Sequence, residues 1–412
     1  MSSNGAIVYK LETVLEKVID NRGKNPPFSM AGVPYIDTTC IVGNNRYPDY
    51  SLIRKYVSEE TYGSWFRSGH PKKNDLLIAT VGANIGKICL MDETKACIAQ
   101  NTIGLRVNNE KAHPCYLYYL LTSKSYQDYL KSLDVGSAQP SIKVPHLLNI
   151  DIDIPSLTVQ SKIAKFLSDL DEKIELNRQT IRTLEALAQA IYKEWFVNFN
   201  FPGCTGEMHD AELGPIPKGW RIGFIGDEDI TTITKPGIEE FEGEKIYLDT
   251  ASVKNSEIVD TTTRITLSKR PSRANMQPKP NTVWFAKMKD SKKILFFDTF
   301  SRWDIKRFIL STGFAGLDVK DYALYYVWAF ISVDRFEIEK DNLCHGTTMQ
   351  AINNDNIKRI KMLIPRKDIL QKYNELMKPK YEQIFVLSKN IETLVELRNF
   401  LLPKLMSGEI EV

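Results

Sequence analysis

The sequence is poor in cysteine and histidine, and neither residue type is arranged as a metal or catalytic site. The six cysteines lie far apart without a CxxC pair, which is typical of reduced, buried thiols rather than of a zinc site. The five histidines form no HExxH or similar ligand pattern. A G-x-S-x-G motif is also missing, and no nuclease signature stands out. The sequence therefore predicts neither metal ligands nor catalytic residues.

A long apolar run is missing as well. No segment approaches the 18 or more apolar residues of a membrane span, and the N-terminus lacks the apolar core of a secretory signal. We therefore expect a cytoplasmic protein that does not associate with a membrane. A chain of 412 residues is too long for one ordinary core, so several domains are expected.

The chain has no large excess of charge of one sign, but its basic residues are clustered. The net charge is +3, yet twelve Lys or Arg residues face three acids between Arg264 and Arg307, with tryptophans and phenylalanines interleaved. A weaker stretch runs from Arg46 to Lys73. Such stretches bind nucleic-acid phosphates while their aromatics pack or stack; a solvated face over core aromatics is the alternative. The expected phosphate contacts are Arg46, Lys55, Arg67, Lys73, Arg264, Arg270, Arg273, Lys287, Lys289, Lys292 and Lys293.

The chain also repeats itself. The heptapeptide Gly136–Ile142 returns 210 residues later as Gly346–Ile352, and Ile154-Pro155 returns as Ile364-Pro365 at the same offset. Two further matches recur at an offset of 212, and they are Tyr35-Ile36-Asp37-Thr38 with Tyr247-Leu248-Asp249-Thr250 and Gly104-Leu105-Arg106-Val107 with Gly316-Leu317-Asp318-Val319. Several short matches in one order at nearly one offset indicate a duplicated unit of about 200 residues.

Each repeat ends in a segment with a heptad pattern. Apolar residues from Ile163 to Trp195 follow 4-3 spacing, with Asn177 at the one polar seam position. The positions 210 residues later, from Tyr373 to Leu405, form a second and less regular seam, in which we expect Pro379 to kink the helix or delay its start. Two matched seams favour packing against each other. Antiparallel packing is expected, because the globular segment 201–364 joins the end of one helix to the start of the other.

These patterns predict an α+β protein with an internal pseudo-two-fold repeat. Two α/β domains, 1–155 and 201–364, would lie at opposite ends of an antiparallel coiled coil of two long helices, 156–200 and 365–412. Strands are predicted around Leu76–Val81, Ile103–Val107, Val283–Ala286 and Ile294–Phe297, and short helices over Tyr116–Leu130 and Tyr322–Val333.

Two motifs suggest catalysis but lack their necessary context. Asn25-Pro26-Pro27-Phe28 matches the tetrapeptide with which adenine-N6 methyltransferases hold the target base, but no glycine-rich cofactor turn follows a strand. Residues Gly82–Lys87 resemble a phosphate-binding loop that is one residue short, with Ile88 where a magnesium-binding Ser or Thr belongs. A glycine-rich turn that brings Asn84 and Lys87 near a nucleic-acid backbone is the better interpretation.

The ordered motifs resemble those of the specificity subunits of type I restriction-modification systems. Gly136–Ile142, Ile152–Pro155 and the first helix are similar to one conserved region of that family, and Gly346–Ile352, Ile364-Pro365 and Leu401–Gly408 are similar to the second. Arg22–Pro27 and Glu212–Trp220 resemble the openings of two target-recognition domains. The second glycine motif departs from the family by one extra residue before Gln350. The role of Gln350 is therefore less well defined by the resemblance than that of Gln139.

The resemblance implies a DNA-binding subunit without catalytic residues. It would read a bipartite, asymmetric target in double-stranded DNA, with Gln139 and Gln350 among the contacts, and would bind two modification subunits. Restriction and translocation subunits would join them. S-adenosylmethionine, ATP and Mg²⁺ would be bound by those partners, with no cofactor on this chain. A stand-alone DNA adenine methyltransferase and a duplicated scaffold without nucleic acid are the alternatives.

Aromatic residues are concentrated where the first long helix ends. Trp195, Phe196 and Phe199, followed by Phe201, exceed what one helix seam requires. We expect Trp195, Phe196 and Phe199 to anchor a partner subunit. Burial of the same residues in the core of the second domain is the alternative.

Overall fold

The computed structural model describes residues 7–43, 45–133, 140–346 and 350–411. Contacts between backbone positions divide the chain into two units, and each is described by itself. Unit 1 comprises residues 1–177 and 390–412, and unit 2 comprises residues 178–389. Both long helices are therefore shared between the units. Among the helices of the described residues, none is long and apolar enough to span a membrane.

Unit 1 is built around one antiparallel sheet. Its strands are β1 (Ile7–Lys10), β2 (Leu15–Ile19), β3 (Val33–Pro34), β4 (Tyr56–Val57), β5 (Leu76–Ala79), β6 (Ile88–Leu90), β7 (Thr102–Val107) and β8 (Asp151–Ile154). Its globular helices are α1 (Glu59–Ser64), α2 (Pro114–Thr122), α3 (Lys124–Ser132) and α4 (Val144–Leu148). The main sheet has the order β2-β7-β5-β6, while β1 pairs with β8 and β3 with β4.

The central strands of this sheet are buried on both faces, as their continuous apolar sequences require. Strand β5, with the sequence Leu-Leu-Ile-Ala, is fully buried. Helix α2 packs its leucines and tyrosines into the same core, which also takes Leu405 from the C-terminal helix. Gly104 lies in β7, where a Cβ would come within 3.3 Å of Ile19 and Ile98 side-chain atoms. A glycine here lets neighbouring side chains pack over the strand, which gives a physical reason for its presence in the repeated motif.

Two helices of similar length follow the two globular parts. Helix α5 (Leu157–Phe196) begins after β8 and has 40 residues. A second helix, which ends the chain, covers Lys367–Ser407 and has 41. Their first residues are 210 positions apart. Every seam position from Tyr373 to Leu405 is at least partly buried, as are Ile163, Leu167, Ile174, Asn177, Ala188 and Trp195 of α5.

Unit 2 contains two four-stranded sheets. Its strands are β9 (Met208–His209), β10 (Ile216–Pro217), β11 (Arg221–Phe224), β12 (Thr231–Ile233), β13 (Lys245–Leu248), β14 (Val253–Lys254), β15 (Glu257–Ile258), β16 (Arg264–Ile265), β17 (Ala274–Met276), β18 (Thr282–Ala286), β19 (Ile294–Phe297), β20 (Phe308–Ser311), β21 (Phe314–Val319) and β22 (Lys361–Ile364). Its globular helices are α6 (Arg302–Arg307), α7 (Leu324–Ser332), α8 (Asp334–Asn342) and α9 (Asn354–Ile357), and the C-terminal helix is α10 (Lys367–Ser407).

One sheet of unit 2 has the same connectivity as the main sheet of unit 1. Its order is β12-β21-β18-β19, and β11 pairs with β22 as β1 pairs with β8. Gly316 in β21 is the counterpart of Gly104, and a Cβ there would lie 2.5 Å from the Trp284 ring. The other sheet, β16-β13-β20-β17, includes a parallel pair, β13 with β20.

Most of the predicted elements are confirmed, with two exceptions. The predicted strands are observed as β5, β7, β18 and β19 within one or two residues. The single helix predicted over 116–130 is wrong, because extended backbone at Ser123 separates α2 from α3. Helix α10 starts at Lys367 and remains helical through Pro379, so the expected delay does not occur. Its first turns pack Ile369, Leu370, Tyr373 and Met377 into the core of unit 2, which stabilises them despite the proline.

Candidate nucleic-acid interface

The glycine-rich turn of unit 1 connects β5 to β6, and we call residues 80–87 hairpin loop 1. Gly86 has a φ of +77°, a region that favours glycine, and a Cβ there would lie 3.5 Å from Leu130. The last residues of the first glycine motif bind the loop, because Gly82 N–H donates to Pro140 O at 3.0 Å and Ile142 N–H to Thr80 O at 2.9 Å. The loop is therefore attached to the motif that recurs in the sequence.

Side-chain hydrogen bonds also attach hairpin loop 1 to two other segments of unit 1. Asn84 donates from Nδ2 to the carbonyl oxygen of Thr38 at 2.7 Å, and Lys87 Nζ donates to Asn84 Oδ1 at 2.9 Å. Gln127 of α3 donates from Nε2 to Gly86 O at 3.0 Å. Thr38 ends the repeated Tyr-Ile-Asp-Thr motif. This motif and the first glycine motif therefore both contact hairpin loop 1. Asn84 and Lys87 have a structural role here in addition to their predicted contact with DNA.

The corresponding loop of unit 2 connects β18 to β19, and we call residues 287–293 hairpin loop 2. Lys289 N–H donates to Gln350 O at 3.0 Å, and Ile352 N–H donates to Lys287 O at 2.9 Å. The ammonium of Lys293 donates to Thr250 O, at the end of the second Tyr-x-Asp-Thr motif. The last residues of the second glycine motif and the Tyr-x-Asp-Thr motif thus hold loop 2 as their counterparts hold loop 1.

Hairpin loop 2 carries four lysines in different environments. Lys289 is exposed, whereas burial lowers the pKa of the half-buried Lys287 ammonium. Lys292 forms an ion pair with Asp334 at 2.6 Å and keeps 38% of its side chain exposed. Gln350 is exposed beside the loop. Lys289, Lys292 and Gln350 are thus placed together with free surface for a phosphate or base, while the Lys293 ammonium already binds protein.

The other predicted basic contacts of unit 2 lie on its second sheet and the adjoining turns. Arg264 and Arg273 are exposed, while Arg270 donates to Ala274 O at 2.6 Å and is half-buried. Thr312 N–H donates to Arg273 O, which attaches this turn to the end of β20. Arg264 and Arg273 therefore have surface available for phosphate binding.

The predicted contacts of unit 1 are less uniform. Lys55 and Arg67 are exposed, and Lys73 is exposed but paired with Glu93 at 2.6 Å. The side chain of Arg46 is only 11% exposed and lies near Cys115 and Glu172. Little of Arg46 is available to a phosphate, so its geometry favours a structural role. Gln139 lies outside the described residues, as does Thr347–Met349 of the second glycine motif.

An exposed aromatic group accompanies Lys55 and was missed in the sequence. Phe28 is 41% exposed, its ring packs edge-on against Tyr35 at 5.2 Å, and the Lys55 ammonium lies 5.2 Å from its centroid. Phe28 is the last residue of the Asn-Pro-Pro-Phe tetrapeptide. A cation beside an exposed ring is suited to nucleic acid, because bases stack on aromatic faces. Only the tetrapeptide drew attention to Phe28 in the sequence, and it suggested a different chemistry.

The aromatic residues at the end of α5 are mostly buried within unit 2. Trp195 is 8% exposed and its ring lies 5.6 Å from Tyr373, while Phe196 is 5% exposed and contacts Tyr326 and Tyr373. Phe199 is half-buried against Trp220. The burial of Trp195 and Phe196 favours the core alternative, and Phe199 has the most surface left for a partner subunit.

The described residues contain no group of three or more His, Cys, Asp or Glu side chains that could hold a metal ion. The features that the structure brings together are instead hydrogen-bonded loops with basic side chains. Such an arrangement can neutralise phosphates and present side chains to base edges.

Residues 24–186 match the family described as Type I restriction modification DNA specificity domain. The chain is 27% identical over 310 residues to the MjaIX type I restriction enzyme specificity subunit of Methanocaldococcus jannaschii, covering 72% of this chain and 69% of that protein. The family model and this relative both describe type I restriction-modification specificity proteins, and this chain is similar to them. It is also 24% identical over 404 residues to the HindI specificity subunit of Haemophilus influenzae, covering 82% of this chain and 87% of that subunit.

A solved structure of the specificity-subunit family has the same fold. The crystal structure of the type I restriction-modification S subunit from M. genitalium aligns with a TM-score of 0.62 at 15% identity, over 98% of this chain and 97% of that one. The mixed helix and strand content expected from the sequence is therefore confirmed at the level of the whole chain.

Proposed function

We propose that this chain is the sequence-specific DNA-binding subunit of a type I restriction-modification complex, in which each unit reads one half of a bipartite, asymmetric target. The observation that carries the proposal is the pair of hairpin loops, each held by the last residues of a glycine motif and by a Tyr-x-Asp-Thr motif. Exposed Lys289, Lys292 and Gln350 beside loop 2, and exposed Lys55 with Phe28 in unit 1, supply groups for phosphates and bases.

An internal duplication is part of the proposal. One supporting observation is the common sheet order. Another is the helix spacing: α7 starts 210 residues after α2, and α8 starts 210 residues after α3. Two copies of one framework can diverge in the surfaces that contact DNA. The target would then consist of two different half-sites. We expect the long helices to set the distance between them.

We include the antiparallel coiled coil in the proposal. In unit 1, Arg398 Nη1 of α10 donates to Asp171 Oδ1 of α5 at 2.7 Å, and Tyr119 OH donates to Asp171 Oδ2 at 2.6 Å. In unit 2, Trp195 near the end of α5 packs against Tyr373 near the start of α10. An early residue of one helix thus contacts a late residue of the other in each unit, which supports antiparallel packing.

Specificity subunits act within type I complexes together with DNA and other subunits, and catalysis lies in those partners. We propose two modification subunits and additional restriction and translocation subunits as partners, with S-adenosylmethionine, ATP and Mg²⁺ bound by them in the cytoplasm. Exposed apolar residues lie on both long helices, and an apolar patch on a protein surface is typical of an interaction site. These residues are Phe166, Leu176, Leu397 and Phe400 in unit 1 and Leu187, Leu376 and Val386 in unit 2.

A radioactive methyl-transfer assay tests this function against a stand-alone methyltransferase, an alternative that the family comparisons do not support. The purified chain should transfer no methyl group from S-adenosylmethionine to DNA. The chain combined with its modification subunits should methylate DNA at a defined sequence. Transfer by the chain alone would contradict the proposal. Modification subunits that methylate the same sequence without this chain would also contradict it.

A further inference from the structure

Hairpin loop 2 rests on a lysine that the sequence does not distinguish from a surface residue. The side chain of Lys340 in α8 is fully buried, with 0% exposed. Its ammonium donates to Met288 O at 3.0 Å and lies 3.5 Å from both Ala286 O and Ser291 O. One buried ammonium therefore contacts backbone carbonyl groups of the last residue of β18 and of two residues of the loop.

Two acids of the same helix neutralise this ammonium. Glu337 Oε1 lies 2.5 Å and Asp341 Oδ1 lies 3.3 Å from Lys340 Nζ, and both side chains are mostly buried. Asp341 also accepts a hydrogen bond from the backbone N–H of Asp290 at 3.2 Å. Because a buried charge is costly unless it is paired and hydrogen-bonded, the Lys340 ammonium keeps its carbonyl partners only while the loop holds this conformation.

The loop held in this way carries the groups proposed to contact DNA. Lys289 and Lys292 point their charges from it, and the backbone N–H of Lys289 binds Gln350 O. The charge of Lys340 is buried and paired, so it adds nothing to the attraction of phosphates. Its effect on recognition must therefore pass through the position of the loop.

We propose that Lys340 is a positioning residue that fixes hairpin loop 2 and thereby sets the discrimination of one half of the DNA target. This inference rests on the proposed function. In unit 1 the residue that makes the comparable contact is Gln127, because its amide donates from helix α3 to Gly86 O of hairpin loop 1. Loss of either contact should relax recognition of one half-site and leave the other half-site unchanged.

The test uses the full chain with its modification subunits, in cells whose methylated bases are mapped by single-molecule sequencing. Discrimination is the ratio of methylation at the cognate target to that at targets with one base changed. K340M should lower this ratio about tenfold at one half-site, comparable to the loss of a good base contact. Q127L should lower it at the opposite half-site. A general loss of stability would lower methylation at all targets without changing either ratio.

A second variant keeps the test informative where K340M does not fold. Asp290 is exposed and has a φ of +53°, so D290G loosens the same loop without strain in the backbone. It should relax the same half-site as K340M. Unchanged ratios in folded K340M, or in D290G where K340M is unfolded, would overturn the inference, as would equal relaxation of both half-sites. Absence of a defined methylated sequence with the unmodified chain would instead contradict the proposed function.

Discussion

Hairpin loops 1 and 2 are held at equivalent places by different chemistry. In unit 1 two side-chain amides attach the loop to the rest of the unit: Asn84 of the loop donates to Thr38 O, and Gln127 of α3 donates to Gly86 O of the loop. In unit 2 the corresponding groups are the ammoniums of Lys293 and Lys340. Leu130 and Lys340 are each the seventh residue of their helices and both are fully buried, yet one is apolar and the other charged. The attachment of the loop is thus shared while the residues that achieve it differ.

The segments that precede the hairpin loops differ more strongly. In unit 1 the described residues between β2 and β5 form the short pair β3 and β4, one short α-helix and two 3-10 helices. In unit 2 the corresponding chain supplies β13, β16 and β17 to a second four-stranded sheet, completed by β20. A common sheet with dissimilar additions is suited to reading two different half-sites, since base recognition depends on which side chains reach the groove.

The largest expected effect concerns the aromatic core of unit 2. W195A should destabilise the chain by about 3–5 kcal/mol, because it removes a large buried side chain from contact with Tyr373. Thermal unfolding should show a clear fall in the melting temperature. The matched variant L187S changes a residue of the same helix that is 45% exposed, and it should lower assembly with modification subunits while leaving the melting temperature nearly unchanged. The opposite pattern would show that Trp195 anchors a partner.

A smaller effect is expected from the lysines of the two hairpin loops. Replacing both Lys289 and Lys292 by alanine should weaken binding to all DNA sequences. The slope of log affinity against log salt should become shallower by about one unit per lost phosphate contact. K87A in loop 1 should change the slope less, because the Lys87 ammonium binds Asn84. K218A, in the turn after β10 where the exposed Lys218 pairs with Glu207, is the control and should leave the slope unchanged. Equal slopes for all variants would remove both loops from the interface.

Periodicity and repetition in the sequence were sufficient to predict four of the sheet strands (β5, β7, β18 and β19), the two long helices and the correspondence between the glycine motifs. The break at Ser123 was missed, since the apolar pattern continues across it and only backbone geometry ends α2. The basic stretch predicts a surface position for Arg46, but its side chain is only 11% exposed and lies beside Cys115 and Glu172.

Lys340 shows most clearly why sequence reasoning stops short of the site. It lies in the segment Asp334–Asn342, whose many charged residues are typical of a solvated helix. The carbonyl groups that it binds belong to a loop some 50 residues earlier, so no local pattern identifies it. The sequence predicts a glycine-rich turn around Asn84, whereas Lys293 stands out only as part of a basic stretch. Their contacts with Thr38 and Thr250 became visible only when distant segments were brought together.

The most direct test of the central claim is the sequence that this chain directs its modification subunits to methylate. Mapping methylated bases in cells that express the full chain with those subunits gives the target without prior assumptions. Two unlike units predict a split target of two different half-sites, separated by a gap of unspecified bases. A single continuous target, or a palindrome of two identical half-sites, would contradict the account.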